Sequence, residues 1–342
     1  MVPVTRNFAS EAPLSPAVSR ALGAAFDQGW ADPKKISQSA TSAQRLRNEA
    51  LEAISQGLHL RPDQLEISGE PDLLPYLAIA GIEVDGKSLF VGATERGKVR
   101  AVARALDATT IPVSRNGLLH IEGSIPAEST LAIQATNPET GVRQNLEVLS
   151  ARFSALAIDA TFSGINTELP ARWSTAFFDS RSWGGPAGIG ILAIHRPGLY
   201  RYPLPHIAPI RVPGSYSLPL LIAAAVAIEE SKKDLSRIVE LRDHLLSHLV
   251  SLENIQVIHS EFESDPRILS FRVIDEISEE LVRRLEKSGF ILDAGSACSA
   301  QDLQPSHVLA EMGYETSGHL RVTLREEHTS ADIDALVAAL RR

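Results

Sequence analysis

Cysteine is nearly missing from this chain: Cys298 is the single one in 342 residues. An internal disulfide framework is therefore excluded, and a reducing compartment is the expected setting. Long apolar runs are missing too. The longest, residues 218–228 (LPLLIAAAVAI), is too short to span a bilayer and reads as a buried helix, so no membrane association is expected. The opening MVPVTRNFAS has no apolar core of signal length, so the expected location is cytoplasmic. Positive charge is in deficit. The net charge is -9 and no Lys/Arg cluster occurs, which argues against nucleic acid as a partner, since phosphate contacts need one. His195, His206, His307, His319 and His328 show no metal-ligand spacing, so no metal is expected. Lysine is missing from one long stretch: none occurs between Lys98 and Lys232.

What is present looks ordinary for a globular protein, with 44% hydrophobic and 22% charged residues. Short apolar runs alternate with amphipathic ones. SLFVGA (88–93), STLAIQAT (129–136), SALAIDAT (154–161), WSTAFFDS (173–180) and GIGILAIHR (188–196) read as buried strands. Helical connections between them predict an α/β fold with a mainly parallel sheet between helices. Ligands of such sheets gather at the carboxyl ends of the strands. Those ends carry TNPETG, DATFSG and DSRSWGG. After about residue 240 the texture becomes α+β. IQVIHS and ILSFRVI alternate like half-buried strands, SEELVRRLEKSG is an amphipathic helix stopped at Gly289, and Thr329 with Asp332 sits at capping-box spacing. The expected division is a large α/β domain over 15–240 and a small α+β domain made of 1–14 and 241–342.

The stretch GSACSAQDLQPSHVLAEMGYETSGHLRVTLREEHTSADIDALVAAL (295–340) closely resembles the C-terminal part of cysteine desulfurases, pyridoxal-phosphate enzymes of aminotransferase class V, in the group with the longer cysteine loop. Weaker likenesses follow in the family's order. They are NFASEAPLSP (7–16), ADPKKISQSATSAQRLRNEALEAISQGL (31–58), ATNPETGVRQ (135–144), AIDATFSG (157–164) and the turn FFDSRSWGGPAGIGILAIHR (177–196). The resemblance implies the type I fold of pyridoxal-phosphate transferases and a homodimer. A desulfurase paralogue or a sulfur-acceptor protein is the implied further partner.

In that family the turn carries a histidine and then the lysine that forms the imine. Matching Gly185 and Pro186 puts Arg181 at the histidine and Ser182 at the lysine. A serine hydroxyl forms no imine, and an arginine stays protonated. The family's ring-stacking histidine matches Arg96, and a ring-contacting glutamine matches Phe162. Its phosphate-binding helix start matches SGEPDLLPYLAIAG (68–81). There Glu70 and Asp72 are expected to cap their own helix and to repel a phosphate. Phe162 and Trp183 are expected to fill part of the family's cavity. On these grounds no cofactor is expected.

Other positions are retained. Asp159 matches the aspartate that pairs with the pyridine nitrogen, Asn137 an asparagine on the ring-oxygen side, and Ser215 part of a phosphate contact. Arg321 matches the arginine that grips the substrate carboxylate, and Cys298 the persulfide-forming nucleophile. Each also has a plain reading. Asp159 and Asn137 are good turn formers, Arg321 suits an exposed strand, and Cys298 could be a small buried residue. Three functions stay open. The first is a non-catalytic, partner-binding protein of sulfur or iron–sulfur metabolism that has lost the covalent cofactor. The second is a persulfide carrier on Cys298. The third is an active desulfurase or class V aminotransferase acting on cysteine.

Overall fold

A computed structural model describes residues 4–28, 31–82, 88–206, 216–231, 234–258, 264–294 and 305–341. Cys298 and Ser215 lie outside the described residues. The first part of the chain gives helices α1 (Pro16–Gln28) and α2 (Gln38–Leu58), strand β1 (Leu65–Ser68), α3 (Leu74–Ala80), β2 (Ser88–Gly92), α4 (Gly97–Ala105) and β3 (Thr109–Ile111). Then come β4 (Ser129–Gln134), α5 (Leu146–Arg152), β5 (Ala155–Asp159), β6 (Thr175–Asp179), β7 (Gly190–Ile194) and α6 (Leu218–Glu230). The last part holds α7 (Ser236–Leu249), β8 (Ile255–Ile258), β9 (Ile268–Val273), α8 (Ser278–Lys287), α9 (His307–Glu311), β10 (His319–Thr323) and α10 (Ser330–Leu340).

Seven strands form one sheet in the order β1-β7-β6-β5-β4-β2-β3. The pairs from β6 through β5, β4 and β2 to β3 are parallel, and β7 runs against both its neighbours. The sequence dictates this burial on both faces. Along β4 and β5, Leu131, Ile133, Leu156 and Ile158 join a core with α1, α2 and α6, while Ala132 and Ala157 face α3 and α4 on the other side. Phe177 and Phe178 divide the same way. Successive side chains of a strand point to opposite faces, so a run apolar at every position must be covered twice. The apolar run at 218–228 is that cover: eight residues of α6 are buried, including Leu221, Ala223 and Ala224. The mixed α/β class and mainly parallel sheet expected from the sequence are the ones found.

A second sheet, β10-β9-β8, is antiparallel. Its core unites Phe8 with residues of α7, α8 and α10. Thr329 caps α10 as its spacing predicts, its Oγ1 accepting from Asp332 N–H at 3.2 Å. The helix presents Ile333, Leu336, Val337 and Leu340 to that core. Thr329→Ala should therefore lower stability by about 1 kcal/mol, the usual loss for an N-cap. Urea unfolding reads this directly, and an unchanged midpoint would show that the cap is dispensable.

Candidate active site

The carboxyl ends of β2, β4, β5 and β6 share one edge of the sheet, and each runs into a turn rich in polar residues. After β4, Asn137 Oδ1 accepts from the N–H groups of Glu139 and Thr140 at 2.9 and 3.0 Å. Its Nδ2 donates to the Thr94 carbonyl at 3.2 Å. The turn closes at Gly141, whose φ of 76° and tight approach to Ile268 both disfavour a side chain there. Asn137 is thus fully engaged as a turn former.

After β5, Asp159 Oδ1 accepts from Thr161 N–H at 2.9 Å and from its hydroxyl at 2.6 Å. The other oxygen, Oδ2, pairs with Arg96 at 2.7 Å. Arg96 and Asp159 lie 63 positions apart in sequence and are joined only by the parallel sheet. Burial would weaken the Arg96 proton, yet Asp159 overrides this and holds the guanidinium charged. Next to it, Glu95 is buried. Its Oε1 accepts from Gln134 N–H at 3.1 Å and its Oε2 has no partner. Burial first, and the Asp159 charge with it, push this carboxyl well above the usual range, against the Gln134 hydrogen bond.

After β6, Ser182 Oγ donates to the Asp179 carbonyl at 2.7 Å. Its side chain lies against Gly164, where a Cβ would come within 2.5 Å of Ser182 Oγ. The turns after β5 and β6 therefore touch at Ser182. Arg181 forks onto Asp179, with its NH2 group 2.7 Å from Oδ2.

Several expectations need correction. Glu70 and Asp72 make no capping hydrogen bond at the start of their helix; Asp72 pairs with Lys98 instead. Trp183 does not face the strand-end turns. Its indole N–H donates to Ala224 O in α6 at 3.1 Å, because a buried indole needs an acceptor and the helix backbone supplies it. Phe162 lies under Arg267, whose guanidinium sits 5.1 Å from the ring centre.

Arg321 is not the exposed arginine of the plain reading; 9% of its side chain is accessible. From β10 it donates to the Pro138 carbonyl at 2.9 Å and to Asp293, so it ties the small sheet to the turn after β4. Its Nε is buried without a partner. Of the five histidines considered above, His319 is buried beside Ser270 and His195 lies tilted against Trp173. None belongs to a metal-ligand group among the described residues. A pair that the sequence reading passed over, His244 and His248, is grouped with Asp334 closely enough to be able to hold a metal ion; the signal was their i, i+4 spacing. A cavity of about 610 Å³ lined by Arg172, Trp173 and His195 lies at the opposite end of the strands, away from these turns.

A family model described as aminotransferase class-V matches residues 210–336. Cysteine desulfurase IscS 1 of Archaeoglobus fulgidus is 26% identical over 98% of this chain and 95% of its own length. A solved NifS-like protein superimposes with a TM-score of 0.84 at 20% identity, covering 98% of this chain and 97% of that one. SspA in complex with cysteine superimposes with a TM-score of 0.75 at 18% identity, covering 95% and 100%.

These likenesses overturn one expectation. Near-full-length similarity to cysteine desulfurases implies their group, pyridoxal phosphate, where the serine at 182 had led to none being expected. The physical reason is that one tethering residue is a small share of a site otherwise made by the fold. The donors fit that group on the ring side. Asp159 is a buried carboxylate of the kind a protonated pyridine nitrogen takes, although Arg96 holds the same oxygen. They do not supply an amine at the turn: Ser182 offers a hydroxyl.

Proposed function

We propose that this chain, a cysteine desulfurase-like protein of aminotransferase class V, moves sulfur drawn from cysteine. The observation that carries the reading is the meeting of four strand-end turns around the Arg96–Asp159 pair, at the sheet edge where such folds bind ligands. Pyridoxal phosphate, when bound, supplies an electron sink. Asp159 would hold its ring nitrogen and Asn137 would shape the turn beside the ring. Ser182 at the lysine position leaves that grip noncovalent. Arg321 would hold the substrate carboxylate by exchanging Asp293 for it. Glu95, whose carboxyl burial pushes above the usual range, would serve as a proton donor next to the ion pair.

The sulfur acceptor in this reading is Cys298. Its thiolate attacks the substrate sulfur and an S–S bond forms. The Cβ–S bond breaks with its electron pair left on carbon, and a proton then completes alanine. Atoms and electrons balance with no outside oxidant. Two copies would form the working unit, and a sulfur-acceptor protein would take the persulfide.

A second reading is a partner-binding persulfide carrier that is loaded by another desulfurase. It is favoured by Ser182 Oγ, which is committed to the Asp179 carbonyl, and by Arg96 on the Asp159 oxygen.

One experiment separates the two. The protein is given L-cysteine and pyridoxal phosphate, and Cys298 is followed by mass spectrometry. One added sulfur atom, with alanine released and both lost in Cys298→Ser, is the expected result. Sulfur gained only from a persulfide donor protein selects the carrier reading. No gain from either source ends both.

A further inference from the structure

On the outer side of the small domain, α7 and α10 bring three ligand-type side chains together. His244 and His248 are one helical turn apart in α7, so both project from the same face. Across from them, Asp334 stands in the first turns of α10. His244 Nε2 lies 2.7 Å from Asp334 Oδ1, and His248 Nε2 lies 3.4 Å from the same oxygen. The two imidazole rings are 4.7 Å apart and nearly perpendicular, at 86°. All three ligand atoms fall within 4.8 Å of one another.

We propose that His244, His248 and Asp334 form a zinc-class metal site that clamps α7 to α10. An ion pair needs one imidazole on the carboxylate. Here two imidazole nitrogens crowd one carboxylate oxygen, and the three ligand atoms lie close enough together for one cation to sit among them. Tetrahedral zinc, with bonds of about 2.0–2.1 Å, sets its ligand atoms about 3.3 Å apart. The present separations of 2.7 and 3.4 Å bracket that value. Two neutral imidazoles and one carboxylate suit a borderline transition-metal ion and not magnesium or calcium, which take oxygen shells. The side chains are 34%, 38% and 56% exposed, so an ion can enter from solvent and keep water in its fourth position. The site is remote in role from the strand-end turns: it joins α7 to the last helix, α10.

The full-length protein, stripped with a chelator, is titrated with zinc chloride by calorimetry against a competing indicator. One equivalent should bind, and the thermal midpoint should rise with zinc. Copper should bind more tightly and magnesium not at all. His248→Ala and Asp334→Asn should each weaken zinc at least about tenfold, the loss seen when even an outer partner of a metal ligand is removed. Circular dichroism confirms that these exposed variants stay folded. Cys298→Ser should bind zinc as the parent does. Zinc binding that is unchanged in His248→Ala, lost in Cys298→Ser, or missing from the parent protein would overturn the proposal.

Discussion

Asp265→Ala should cost about 3–5 kcal/mol of stability, the range found when one partner of a buried ion pair is removed. The carboxylate is fully buried, with 0% of its side chain accessible, and it is held by two arginines. Arg267 donates from Nε to Oδ1 at 2.9 Å and from NH2 to Oδ2 at 2.7 Å, and Arg143 approaches Oδ2 at 3.4 Å. Burial works to raise this pKa, but the Arg267 hydrogen bonds and charge, with Arg143, hold it below the ordinary carboxylate range. The alanine variant leaves two guanidinium groups without their counter-charge in a place that water reaches poorly. Asp265 also anchors the site. Its N–H donates to Gly141 O, and Arg267 reaches the carbonyls of Phe162 and Ser163. Amide exchange at residues 162–164 should therefore quicken in Asp265→Asn, which keeps the shape and loses the charge. Denaturant unfolding measures the main effect. A loss below about 1 kcal/mol, the scale of an exposed pair, would show that the cluster is ornamental.

The second large effect is a loss of stability in acid that traces to His319. This imidazole is 1% accessible and bonds Ser270 Oγ at 2.5 Å. Although its Nδ1 is 3.7 Å from Glu139, burial first and the Arg321 charge second push its pKa down to about 3. Burial likewise pushes the Glu139 carboxyl up, against the Ser306 hydrogen bond and the Arg321 charge. The sign follows from proton counts. Above the unfolded value near 6.5 neither state of His319 is protonated, and the full stability is present. As pH falls from there toward about 3, the unfolded chain takes up a proton that the folded chain refuses. Stability then drops by about 1.4 kcal/mol per pH unit, or about 4–5 kcal/mol over the window. His319→Gln keeps a polar partner for Ser270 and cannot titrate, so its acid slope should be shallower by about 1.4 kcal/mol per pH unit between pH 6 and 4. Parallel slopes for the variant and the parent would refute the assignment.

Much of the frame was legible as sequence. Strands such as β4 and β6 are buried at every position, and α6 is apolar nearly all round, so composition alone marks them. Strands β1 and β3 escaped notice. They are four and three residues long, and β3 is exposed at two of its positions, so no period can show. They form the two edges of the sheet. The gathering of the polar turns was legible too, because a parallel sheet has only one edge where its strands end together.

The sequence by itself determined the α/β frame, the capped last helix, the lack of any lysine between Lys98 and Lys232, and the likeness to cysteine desulfurases. These are properties of composition and local pattern. Only the tertiary structure decided which charges meet: Arg96 with Asp159, Asp72 with Lys98, Asp265 with two arginines, and two histidines of α7 with Asp334. It also turned Trp183 toward α6 and put Arg321 between the two sheets. All these pairings but Asp265–Arg267 join residues tens to hundreds of positions apart. Their energies depend on burial and on distances of a few ångströms, and neither exists until the chain has folded.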